Sequence, residues 1–237
     1  MVASRHGTGA SRHGTGASRH GTGASRPESG ASQRHGTAAS RRRGTALTEA
    51  IFLTTLEELA RASFAELSFD RIATAAGTGK AALYRRWSTP AELVLAALTD
   101  PGTGFGEAPA PPRTGNLRDD LIALLTQLVR ALDEPRGRAL RPLIAQRNRH
   151  PELFDQVWRS VIRPAHEVLM QVMRAAAERG EAVPERVTAR AAEVGPRMLL
   201  VEAWRSDTVG EDEVAAVVDE VLLPLLRSAG GGATTSR

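Results

Sequence analysis

The sequence contains no cysteine. That excludes a disulfide framework and any thiolate metal site, and it suits a reducing compartment, so a cytoplasmic protein is expected. No apolar run approaches the roughly 20 residues of a membrane-spanning helix, so no membrane partner is expected. Nor does an apolar segment follow the N-terminal charges, as a secretory signal would require. No stretch shows the period-two alternation of a half-buried strand, which leaves an all-α fold as the expectation. Catalytic constellations are missing too. No serine sits in a G-x-S-x-G elbow, and His150 and His166, the two histidines outside the N-terminal tail, lack partners at metal-ligand spacing. No catalytic residue, metal or cofactor is therefore expected.

What is present supports a sizeable core: 237 residues, 41% of them hydrophobic, enough for one or two domains. The net charge of +4 conceals an asymmetry. Residues 1–46 hold eight arginines against the single acid Glu28, whereas the remainder carries 23 basic and 26 acidic side chains. A mildly acidic body cannot hold nucleic acid by bulk charge, so binding of that kind requires local placement of cations.

The basic segment is a degenerate seven-residue repeat, SRHGTGA at 4–10, 11–17 and 18–24, decaying to SRRRGTA at 40–46. It has no Leu, Ile or Phe and abundant glycine, so no core offsets its ordering entropy and a disordered tail is expected over residues 1–44. Two readings stay open for it: a weak, salt-sensitive nucleic-acid-binding arm, or a tandem expansion of coding sequence without function. If the arm binds, Arg41, Arg42 and Arg43, beside the first helix, are its expected contacts.

Residues 45–99 read as a compact four-helix unit organised around Ser68 to Trp87, SFDRIATAAGTGKAALYRRW. Phe69, Ile72, Ala73 and Ala76 fall at i, i+3, i+4 and i+7, one apolar face of a short helix with Ser68 as its N-cap. Gly77 permits the tight turn, and Thr78 or Gly79 opens a second helix. On that helix Leu83 and Trp87 point inward, which leaves Ala81, Ala82, Tyr84 and Arg85 on the outer arc, flanked by Lys80 and Arg86. Small residues, a phenol and cations together suit a groove lined with phosphates. The plainer reading, a helical hairpin with a solvated charged face, stays open at this point. A phosphate-binding loop at Gly79-Lys80 is excluded, since Thr74 and Ala81 stand where that motif needs Gly and Ser or Thr. Thr89 as N-cap and Pro90 at the first helical position start the next helix.

Residues 100–115, rich in Pro and Gly, form the expected linker, and 116–228 read as a helical domain with a frayed tail over 229–237. Its longest helix, about 151 to 179, is expected to kink or break near Arg163, ahead of Pro164.

Residues 45–98, above all the hairpin followed by STPAELVLAAL, resemble the TetR family of bacterial transcriptional regulators. The C-terminal part resembles a ligand-binding class of that family through NLRDDLIALL, PRGRALRPLI, HPELFDQVW and Gly195-Pro196. The resemblance implies an N-terminal helix-turn-helix DNA-binding domain and a C-terminal helical ligand-binding and dimerisation domain. It further implies a homodimer formed through the last two helices, which would bring the apolar stripe from Val214 to Leu225 to the interface; burial of that stripe within one subunit stays open. Such a dimer binds a palindromic double-stranded DNA operator and is released by a small-molecule effector, whose identity stays open. Lys80, Ala81 and Ala82 match positions that face bases. Tyr84, Arg85 and Arg86 match positions at or near the phosphates. Ser68, Thr78 and Gly79 complete the expected DNA face, together with Thr89, because Pro90 stands where the family often carries a phosphate-binding Lys. For the effector, Phe154, Trp158, Met170, Met173, Met198 and Trp204 offer apolar lining, with Arg197 or His166 to fix a polar group, and a role in ordinary core packing stays open for each. The alternative function is a helical small-molecule or partner-binding protein without gene control.

Overall fold

The structure is a computed structural model that describes residues 32–206 and 208–227, with side chains from Gly44 onward. Among the described residues the chain is entirely helical. In order come α1 (Ser32–Arg61), a 3-10 turn (Phe64–Glu66), α2 (Phe69–Ala75), α3 (Lys80–Tyr84), α4 (Pro90–Thr99), α5 (Leu117–Asp133) and α6 (Pro135–Ala145). Next are α7 (Pro151–Val157), α8 (Arg163–Glu178), α9 (Ala189–Arg205), α10 (Glu211–Ala216) and α11 (Leu223–Leu226). The all-α expectation holds.

The first helix differs from its expected extent. It begins at Ser32 rather than Thr45, so residues 32–44, expected to be disordered, are helical. Packing of the later residues supplies the costly nucleus, and each further residue then adds only a propagation step, which Ala and Arg tolerate well. Residues 1–31 and 228–237, and the side chains of Arg41, Arg42 and Arg43, lie outside the described residues.

The chain divides after Arg41, and two hydrophobic cores organise the unit Arg42–Arg237. One gathers Ile51, Leu56 and Leu59 of α1, Phe69 and Ile72 of α2, Leu83 of α3, and Leu93, Val94 and Leu98 of α4. It does not stop at residue 99: Ala139, Leu140 and Leu143 of α6 and Leu153 and Val157 of α7 belong to it as well. The second core draws on α5, α8, α9, α10 and α11. The segment between them is tied down at its start, where the Asp100 carboxylate accepts from the Thr103 N–H at 2.9 Å and the Phe105 N–H donates to the Leu98 carbonyl at 2.7 Å. Arg136 of α6 donates to the Gly104 carbonyl at 2.6 Å and lies 5.1 Å from the Phe105 ring centre.

The disturbance expected near Arg163 takes the form of a π-helical turn, Trp158–Ile162, between α7 and α8. A second π turn, Val217–Leu222, links α10 to α11. Each ends two residues before a proline, Pro164 or Pro224. Proline has no N–H for the carbonyl four residues earlier, and the loosened ladder takes up an extra residue per turn.

The stripe expected at a subunit interface is largely internal. Val214, Val217, Val218 and Leu222 are all at most 2% exposed and pack inside their own chain, while Leu225 stays exposed. Its apolar spacing does not distinguish burial within a subunit from burial between subunits.

Candidate nucleic-acid interface

The hairpin α2–α3 is built from a cap, a left-handed glycine and one buried anchor. Ser68 caps α2 by accepting the Arg71 N–H on its Oγ at 3.3 Å. Gly77 has φ 62°, and the Thr78 N–H then reaches back to the Ala73 carbonyl at 2.9 Å, which closes the turn. Gly79 precedes α3 in an extended conformation. Leu83 is fully buried and pins the helix to α1, α2 and α4, while Lys80, Ala81, Tyr84, Arg85 and Arg86 are exposed and Thr78 and Ala82 are half-buried. Trp87 is half-buried, 5.7 Å from Phe52.

The cations of this face are not equivalent. Arg71 is committed to the scaffold, with Nη2 2.8 Å from Glu58 of α1. Arg86 donates to the Thr48 hydroxyl at 2.5 Å, which leashes it to α1. Lys80 is ion-paired with Asp70 on α2. The Arg85 side chain has no hydrogen bond or ion pair among the described residues. At α4, Thr89 Oγ1 accepts the Glu92 N–H at 3.2 Å, and the Glu92 carboxylate accepts the Ser88 N–H at 2.7 Å. The hydroxyls of Ser68 and Thr89 are thus used as acceptors and keep their protons for an external acceptor such as a phosphate.

A short capped helix, a tight glycine turn and a second short helix that offers small residues, one phenol and cations to solvent define a helix-turn-helix DNA-binding head. Its continuation into an all-helical body is the architecture of a transcription regulator.

Comparison with known proteins gives the particular family. Residues 51–97 match the family "Bacterial regulatory proteins, tetR family", and residues 111–221 match "Tetracyclin repressor-like, C-terminal domain". An uncharacterized HTH-type transcriptional regulator of Mycobacterium tuberculosis is 32% identical over 180 residues, 74% of this chain and 86% of that protein. The DNA-binding transcriptional repressor TetR of Mycobacteroides abscessus is 30% identical over 190 residues, 78% of this chain and 96% of that protein. A TetR-family regulator of Mesorhizobium loti of known crystal structure shares the fold at a TM-score of 0.55 and 16% identity, covering 77% of this chain and 96% of its own. The chain belongs to the TetR family of DNA-binding transcription regulators. No helix among the described residues is long and apolar enough to cross a membrane.

The eight residues expected around an effector are scattered. Met170 and Met173 are buried in the core of α5 and α8–α11. Phe154 and Trp158 lie side by side, centroids 6.4 Å apart and planes tilted by 36°, on the stretch of helix that packs against the DNA-binding head. The side chain of Arg197 pairs with Glu193 at 2.6 Å on the surface of α9, Met198 is 40% exposed, and Trp204 is half-buried. The half-buried His166 ring sits 3.0 Å from the Ala189 carbonyl. A cleft of about 420 Å³ does exist, between the Pro111–Gly115 segment, Asp120 of α5 and Gln171, Val172, Ala175 and Arg179 of α8. None of the eight lines it.

Two residues of the interface escaped sequence reasoning. Thr48 is an ordinary helix threonine by pattern. Asp70 carried a signal: it is the only acid between Leu67 and Ala91, in a hairpin otherwise neutral or basic.

Proposed function

We propose that this regulator is a homodimeric repressor that reads a palindromic operator through α3 and leaves it when a small molecule binds the C-terminal body. The observation that supports release by an effector is the division of one continuous helical stretch between two cores. Leu153 and Val157 of α7, and Val161 of the π turn, pack with the DNA-binding head. Val168, Leu169 and Met173 of α8, directly beyond, pack with the body. A ligand that repacks the body around α8 therefore moves α7 against α4, and with it the spacing of two recognition helices. An effector that binds both states equally shifts nothing.

In this reading Lys80 and the methyl groups of Ala81 and Ala82 meet base edges, Tyr84, Arg85 and Arg86 meet the backbone, and the hydroxyls of Ser68 and Thr89 donate to phosphates. Thr78 and Gly79 set the approach of the helix. The dimer forms through the outer face of α9 and α11, where Met198, Val201 and Leu225 stay exposed at 40%, 59% and 38%. Two-fold symmetry then sets half-sites about 34 to 36 Å apart.

The deciding experiment selects duplexes from a random pool and then screens small molecules by thermal shift. The expected result is an inverted repeat, and at least one stabilising compound that weakens binding to it. Stabilising compounds with no effect on duplex affinity, and no enriched duplex, would instead favour a helical binding protein without gene control.

A further inference from the structure

We infer that Asp70 is a specificity-determining residue of the DNA-binding face, which acts by holding Lys80 back from the phosphates of any duplex while leaving its ammonium free to meet a base in the major groove. The inference rests on the DNA-binding reading of α3. Asp70 is the second residue of α2 and Lys80 the first of α3, ten positions later, and the turn at Gly77 brings their side chains into an ion pair. Both side chains are more than half exposed, at 61% and 58%, so the pair adds little to the fold and lies on the surface that DNA would cover. Lys80 is also the only lysine in the chain, among 31 basic side chains. Its flexible ammonium carries three rotatable donors and can serve two acceptors in different directions at once, which the planar fork of arginine does less readily.

The pair changes what non-specific contact is worth. Any duplex offers phosphates, but to reach one Lys80 must leave Asp70, whose carboxylate then faces the same negative backbone. A guanine in the major groove offers two acceptors, N7 and O6, to the donors of the ammonium that the carboxylate leaves free, so Lys80 meets it without leaving Asp70. Asp70 therefore penalises the swing to a phosphate, which breaks the pair, and spares the guanine contact, which keeps it. This is discrimination by a repulsive element rather than by an added contact. Arg85 and Arg86 have no carboxylate partner among the described residues and supply attraction to any duplex.

The test uses full-length wild type, D70N, K80A and the double variant against two probes across a range of salt concentrations. One is the duplex that wild type enriches from a random pool, the other an unselected duplex of equal length. D70N is expected to tighten the unselected duplex by roughly two- to fivefold, the scale of one exposed charge pair. It should tighten the selected one less, so that the affinity ratio falls. The salt slope on the unselected duplex should steepen by about 0.9, one further phosphate neutralised. In the K80A background D70N should leave the ratio unchanged. A ratio unaffected by D70N overturns the inference. So does an equal fall in the K80A background, which would mean that Asp70 repels phosphate directly. If wild type enriches no duplex, the DNA-binding reading itself fails, a distinct outcome. An independent readout comes from dimethylating Lys80 with ¹³C, which keeps its charge: D70N should shift its resonance in the DNA-free protein, and an unmoved resonance would rule out the ion pair.

Discussion

The ring of Tyr84 stands edge-on against Phe69, centroids 4.7 Å apart and planes at 82°. Phe69 is buried and Tyr84 is 63% exposed, so α2 aims the phenol while its hydroxyl faces solvent. The two roles of the side chain are separable. Tyr84→Phe should keep the melting temperature and lower duplex affinity by about 1 kcal/mol, one hydrogen bond. Tyr84→Ala should lower affinity further and also cost about 0.5 to 1.5 kcal/mol of stability, the worth of the ring pair. Fluorescence anisotropy and thermal unfolding read the two effects. Equal affinity of all three proteins would remove Tyr84 from the interface.

Gly77 holds φ at 62°, and a Cβ there would meet nothing within 4 Å. Only backbone strain then opposes a side chain. Gly77→Ala should destabilise by about 1 to 2 kcal/mol in urea unfolding, and Gly77→Asn by less, since Asn tolerates the left-handed region. A neutral alanine would show that the turn can relax.

Val201, at 59% exposure, is the most exposed of the large apolar side chains on α9 and α11. Its replacement by aspartate leaves the internal core intact. Wild type is expected to sediment as a dimer at micromolar concentration and Val201→Asp as a folded monomer, with unchanged helical circular dichroism. A dimeric variant would move the interface elsewhere.

Acid should loosen the body through identifiable carboxylates. The hydrogen bond from Arg118, Nε to Oδ1 at 2.7 Å, holds Asp219 below its ordinary 3.8, tying α5 to the second π turn. Arg179, with help from the Leu117 N–H, holds Glu181 below its ordinary 4.5. A carboxylate whose value is depressed in the folded state stabilises fully above the unfolded value and loses that contribution as pH falls through the folded one. Stability should therefore be flat in these groups from neutral pH down to about 5 and decline below about 4.5. Arg118→Gln should make the acid decline shallower. An identical decline in both proteins would assign it to other groups.

The helices themselves, the caps at Ser68 and Thr89, the turn at Gly77 and the inward anchor Leu83 were all legible in the sequence, because each depends on residues within about one helical turn of it. The same locality made the outer arc from Lys80 to Arg86 readable, and with it the family resemblance. What local pattern cannot carry is partnership. Whether Val214 to Leu222 bury within one chain, whether α6 and α7 join the core of the head, and where Phe154, Met173 and Arg197 end up relative to one another are decided by many weak long-range contacts summed together. None of these has a sequence period of its own. Asp70 lies ten residues from Lys80, and only the angle between α2 and α3 turns that separation into an ion pair. The order of residues was enough to say what kind of surface the chain presents. That its one lysine is held by a carboxylate is settled in three dimensions, since a charge pair depends on distance in space and not along the chain.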